Sequence, residues 1–148
     1  MEEKNLWVKV IVSAYRGIPT IVEALETFID KAALKSYRSD CMTLFENLSD
    51  KCDRKEKLVN LKCITDDAIA ALSVDLRYII TSRISGVSFE DIAAGLGISL
   101  RAVFRHYSAA LNGLAFNLRL KGFDEVWFFE YFKEEKYIEG IKSHFCRR

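Results

Sequence analysis

The chain has 148 residues, half of them apolar and 29 % charged, with a formal net charge of +1. That length fits one domain, or two small helical lobes sharing a core, and half-apolar composition is enough to bury one. No apolar run reaches the roughly 20 residues of a membrane span, so no membrane-spanning helix is expected.

Met1-Glu2-Glu3-Lys4 leads into no cleavable signal pattern, so the cytoplasm is the expected location. One proline and seven glycines favour long helices over a turn-rich β architecture. The expected fold is all-α.

The apolar spacing of Leu6, Val8, Val10, Ile11, Ala14 and Tyr15 predicts a first helix that stops near Gly17-Ile18-Pro19. Thr20 is a cap candidate for a second, with Ile21, Val22, Leu25, Phe28, Ile29 and Ala32 on its apolar face. Tyr37-Arg38-Ser39 reads as a connection, and Ser39 or Asp40 as the next cap. A long amphipathic stretch then carries Leu44, Phe45, Leu48, Cys52, Leu58 or Val59, Leu61 and Ile64. Its middle, 50–57, is densely charged with mixed signs. This segment is either a coiled-coil-like partner helix or the solvated face of an intramolecular one.

Cys41, Cys52 and Cys63 recur every eleven residues. On a continuous helix they share one face but stand roughly 16 Å apart. No single metal ion spans that gap, nor does a disulfide. His106 and His144 lack ligand spacing. Reduced cysteines on a buried helix face are expected, with no metal and no cofactor.

Thr65-Asp66-Asp67 reads as a capping cluster opening AIAALSVDLRYIITSRISG, a helix that ends at Gly86. Ser88 is the next N-cap, with Glu90 and Asp91 in the first turn where the helix dipole favours negative charge. Ile92, Ala93 and Leu96 face inward, Gly97-Ile98-Ser99 turns the chain, and Ser99 caps another helix.

At about 100° per residue, Val103, Tyr107, Leu111, Leu114 and Leu118 fall in one apolar stripe of the helix after Ser99. Arg101, Arg105, Ser108 and Asn112 fall on the opposite side, with Phe104 beside them. From Leu76 to Phe123 there are six Arg/Lys (Arg77, Arg83, Arg101, Arg105, Arg119, Lys121) against two acids. From Ser99 to Phe123 there is no acid at all. Such asymmetry on a helix following a tight turn is the footprint of a nucleic-acid reader. Double-stranded DNA is the expected partner, read in the major groove. The candidate DNA-binding residues are Ser99, Leu100, Arg101, Phe104, Arg105, His106, Ser108 and Asn112. Ser88, Arg83, Arg119 and Lys121 are the phosphate candidates.

SFEDIAAGLGISLRAVFRHYSAALNGL resembles the helix-turn-helix of the fourth conserved region of bacterial sigma factors, and of phage and bacterial regulators that carry sigma-like versions. Ser88, Glu90, Ile92, Ala93, Leu96, Gly97, Ile98, Ser99, Val103, Tyr107, Ala110 and Leu111 carry the likeness. LRYIITSRISG is similar to the helix preceding that motif, although Arg83 lies three residues before Gly86 where the family more often has four. That spacing predicts a tighter corner. The resemblance covers about residues 66–120. It implies DNA as partner, and RNA polymerase or an anti-sigma-type protein as a further one; exposed Leu100 and Phe104 would suit the latter. Residues 1–65 show no match to the family's second conserved region, so a complete, independently acting sigma factor is not expected.

The tail, GFDEVWFFEYFKEEKYIEGIKSHF, is aromatic. Asp124 is its cap candidate and Phe123 a staple onto Trp127 or Phe128. Its polar face (Glu125, Glu130, Glu134, Glu135) argues against a membrane-surface anchor. Packing on the N-terminal lobe is expected, and a homodimer contact is the alternative. No Gly-rich phosphate loop, HExxH or GxSxG occurs, so no enzyme is expected. His106 reads as a phosphate neighbour and His144 as packing. The expected division is 1–64, a helical N-terminal lobe; 65–122, the helix-turn-helix domain; and 123–148, an aromatic C-terminal helical segment packed on the rest. The charged seam at 44–64 and the aromatic tail lead us to expect a homodimer.

Overall fold

The computed structural model describes residues 5–34 and 41–147. Over those residues the chain forms α1 (Leu6–Tyr15), α2 (Ile18–Leu34), α3 (Cys41–Ala70), α4 (Val74–Ile84), α5 (Phe89–Leu96), α6 (Leu100–Leu120), α7 (Glu125–Tyr131) and α8 (Lys136–Cys146). The described residues contain no strand, so the fold is all-α. The connection at 37–39, the caps expected at Ser39 or Asp40, and the side chains of Cys41 and Leu44 lie outside the described residues.

Two compact units form. One is Gly17–Cys63; the other joins Met1–Arg16 to Ile64–Arg148. In the first, α2 begins at Ile18 rather than after a Thr20 cap. Pro19 sits in the first turn, where its missing N–H has no intrahelical role, and Ile21 N–H donates to Gly17 O at 3.1 Å. Lys55 pairs with Glu26 at 3.2 Å, and the Lys51 ammonium stands 5.4 Å from the Phe28 ring centre. Both are surface contacts and contribute little. Leu25, Ala32, Leu58 and Leu61 are buried, Leu58 rather than Val59 taking the inward place, whereas Phe28 and Phe45 remain exposed against expectation. Cys52 and Cys63 are exposed free thiols, not members of a buried face. The physical reason is phase: Cys52 precedes the buried Leu61 by about two and a half helical turns, which turns it to the opposite side.

In the second unit, α1 buries Trp7, Val8, Val10, Ile11, Val12 and Ala14, a wide face that leaves exposed Ser13 on the remaining side. An apolar face that wide needs cover from several helices, and α4, α6, α7 and α8 all touch it. Trp7 packs on Phe128 with ring centres 6.4 Å apart, and the Tyr137 hydroxyl donates to Ala14 O at 2.7 Å.

Thr65-Asp66-Asp67 does not open a helix, because α3 runs straight through it to Ala70. All three side chains point sideways. Thr65 is buried, Asp66 accepts from the Tyr15 hydroxyl, and Asp67 pairs with Lys121 at 3.5 Å. The helix ends further on, where the Arg77 guanidinium donates to Ala70 O at 2.9 Å and Leu72 O at 3.0 Å. Arg77 thus collects carbonyls that a helix C-terminus leaves unpaired. Ser73 then takes the N-cap position of α4 in extended conformation.

Asp124 caps α7 as expected, accepting from Trp127 N–H at 2.8 Å, and Phe123 lies 4.7 Å from the Trp127 ring centre. The tail is two helices rather than one. Glu135 breaks it: its carboxylate accepts from Tyr137 N–H at 2.8 Å and caps α8. Glu135 is accordingly buried instead of joining the outer acidic face. His144 is exposed, not core. Among the described residues, no helix is long and apolar enough to cross a membrane.

Candidate nucleic-acid interface

The candidate interface is assembled from α4, α5 and α6. Ile79, Ile92, Ala93 and Val103 form a buried cluster, with Phe89, Ile98 and Tyr107 packed against it. Small Ala93 lets α5 approach α6 closely, while Ile98 and Val103 fill the space between. Leu96 departs from its expected inward place; in the last turn of a short helix, beside the open turn, it stays 39 % exposed.

Local hydrogen bonds set the two corners. The Ser88 hydroxyl accepts from Asp91 N–H at 3.1 Å, and the Ser99 hydroxyl accepts from Ala102 N–H at 3.1 Å. Both are N-caps of the kind their sequence spacing indicated. Between them Gly97 adopts φ 68°, ψ 33°, and Ile98 N–H reaches back to Ala93 O at 3.1 Å. A side chain at that left-handed position would be strained, so glycine sets the turn.

Phe89 is the residue that sequence reasoning missed. Its ring meets Phe104 edge-on at 4.9 Å and Tyr107 at 5.2 Å, and the Arg83 guanidinium lies 4.0 Å over its face. A large apolar residue directly after an N-cap serine was the available signal, since such a side chain needs cover from another helix. Burial pushes the Tyr107 phenol above its ordinary value of 10.0, and the Arg83 charge pulls it partly back. The raised value favours the neutral phenol in the fold. Its stabilising contribution is complete below pH 10.0 and is lost as pH rises through the folded value. Tyr107→Phe is therefore expected to flatten the alkaline fall in stability, read by denaturant midpoints above that pH. Parallel curves for variant and parent would exclude the shift.

The structure sorts the six cations of residues 76–123. Arg77 holds the α3 carbonyls. Arg83 is committed to Phe89 and to Val87 O, at 3.1 Å. Arg119 stands 5.7 Å from the Trp7 ring centre, and Lys121 pairs with Asp67. Arg101 and Arg105 remain: among the described residues neither side chain has a hydrogen bond, ion pair or ring contact. Both are exposed, one turn apart, in the first half of α6.

The other candidates fall around them. Ser99 and Ser108 are exposed, His106 is half-buried, and Leu100 and Phe104 are 37 % and 46 % exposed. The hydroxyls of Ser88 and Ser99 serve their own helices. Asn112 is exposed but not idle, since its side-chain carbonyl accepts from the Asn5 amide at the start of α1. Among the described residues, no group of three or more His, Cys, Asp or Glu is placed to hold a metal ion.

A short helix and a longer one joined by a capped glycine turn, braced by a third and leaving one face of the second uncovered, define a helix-turn-helix. Residues 64–112 match the family model for sigma-70, region 4. The match spans about a third of the chain, from the end of α3 to the middle of α6. No curated protein and no solved structure matches the chain.

Proposed function

We propose that this chain is a sequence-specific, DNA-binding transcriptional regulator of the cytoplasm that reads double-stranded DNA with the first half of α6. The observation that carries this reading is the pair Arg101 and Arg105, exposed and unpartnered while the other four cations of the segment serve the fold. A guanidinium without an internal partner is available to guanine O6 and N7, which it engages bidentately in the major groove. Backbone amides at the start of α6, behind Ser99, add donors for a phosphate. No step of this reading calls for catalysis, a metal or a cofactor.

Selection of bound sequences from random duplex DNA at two salt concentrations tests it. An enriched motif, with affinity falling as salt rises, is the expected result. Recovery of unenriched sequence at both concentrations would overturn it.

A second reading has one observation in its favour. Leu100 and Phe104 are apolar and partly exposed on the same stretch as the two arginines. They suit a module that uses this fold to contact RNA polymerase or an anti-sigma-type partner, and this reading takes first place if the selection fails. The regulator is also expected to be a homodimer. One helix-turn-helix reads a single half-site, and Leu34, Met42 and Phe45 of the Gly17–Cys63 unit are largely exposed. Sedimentation at micromolar concentration should show twice the chain mass; a monomer with and without duplex would remove the dimer from the proposal.

A further inference from the structure

Arg16 is a third unpartnered guanidinium, and it comes from outside the segment that matches the family. It follows α1, and its Nη1 lies 2.8 Å from where a Cβ on Gly86 would stand. Gly86 turns the chain from α4 into α5 at φ 91°, with Val87 N–H donating to Ser82 O at 3.0 Å. The guanidinium therefore rests against the bare backbone of that corner, in space that a side chain at position 86 would fill. Arg16 is exposed, and among the described residues its side chain has no hydrogen bond, ion pair or ring contact.

Arg83, the phosphate candidate expected at this corner, is turned onto Phe89 and Val87 O instead. Its donors are taken up by the fold. Those of Arg16 have no acceptor among the described residues. In helix-turn-helix docking the first helix of the motif crosses the phosphate backbone while the second enters the groove. The corner that opens α5 is thus on the phosphate side of the interface. Glu90 and Asp91 are also exposed in the first turn of α5, so a cation is needed there if a phosphate is to approach.

We propose that Arg16 binds a backbone phosphate of double-stranded DNA at the α4–α5 corner. This inference rests on the DNA-reading function proposed above. The interface then draws on two stretches distant in sequence, the end of α1 and the helix-turn-helix. Its planar fork suits a phosphate, which it grips through two parallel hydrogen bonds.

The test compares the full-length parent with Arg16→Ala, Arg16→Gln, Arg16→Lys and Arg105→Ala. Each is titrated with one duplex from the selection and one of random sequence, over a salt series. The glutamine variant keeps the side chain over Gly86 without its charge, so it separates loss of charge from loss of packing. Arg16→Ala and Arg16→Gln are expected to weaken both duplexes alike and to lower the salt slope by about one unit. Arg16→Lys should restore the slope. Unchanged affinity and slope in the alanine and glutamine variants, with Arg105→Ala still lowering the ratio of selected to random binding, would overturn the Arg16 contact and leave the DNA-reading function standing. A changed ratio in the Arg16 variants would overturn it too, since a phosphate contact carries no sequence information. If the parent binds neither duplex, both proposals fall.

Discussion

Arg105→Ala should reduce the preference for a selected duplex over a random one by about 1–3 kcal/mol, the range for losing one bidentate guanine contact. Arg105 lies one turn beyond Arg101 in the first half of α6, its side chain with no hydrogen bond, ion pair or ring contact among the described residues to lose. Its removal should therefore leave the fold intact, and the whole effect should fall on binding. Arg101→Ala should act similarly at a different base position. Lys121→Ala is the contrast. Lys121 follows α6, about six turns beyond Ser99, and its ammonium is paired with Asp67 across an exposed gap of 3.5 Å. Its loss should leave the ratio of selected to random binding nearly unchanged, and an exposed pair of this kind contributes at most about 1 kcal/mol to stability. Competition binding with both duplexes at fixed salt distinguishes the two. Equal ratios for Arg105→Ala and the parent would remove base reading by this arginine.

Phe128→Ala should destabilise the second unit by about 3–5 kcal/mol, the range for emptying a buried aromatic site. Phe128 is fully buried, and its ring centre lies 6.4 Å from Trp7, 5.4 Å from Phe129 and 5.3 Å from Phe132. It is thus enclosed by α1 on one side and its own helix and turn on the other, leaving little freedom for collapse around the cavity. Typical whole-domain stabilities are about 5–15 kcal/mol, so the loss is a large share of the total. Because α1 touches α4 and α6 as well as α7, the helix-turn-helix should lose structure in the same transition. Phe104→Ala serves as the control: that ring is 46 % exposed and should cost far less. Denaturant unfolding followed by far-ultraviolet circular dichroism reads both. A shift for Phe128→Ala no larger than that for Phe104→Ala would refute this account of the core.

What the sequence determined by itself is what hydrogen bonds and apolar spacing decide within a few residues. The Ser88 and Ser99 caps, the Asp124 cap and the Gly97 turn each close over three to five residues, so their partners are visible in the string. The apolar stripe of α6 is equally local, because helical period alone puts Val103, Leu111, Leu114 and Leu118 on one side. Tertiary structure decided whatever depended on a partner far along the chain. Thr65-Asp66-Asp67 has the composition of a cap, yet Tyr15 and Lys121 draw its two carboxylates sideways and α3 continues past them. Glu135 has the composition of a solvated face but is buried as a cap. The six cations of residues 76–123 were indistinguishable as charges. Trp7, Phe89, Asp67 and the carbonyls at the end of α3 engage four of them, leaving Arg101 and Arg105 uncovered. A charge is local to its residue, but its availability to a ligand is set by what the rest of the fold places beside it.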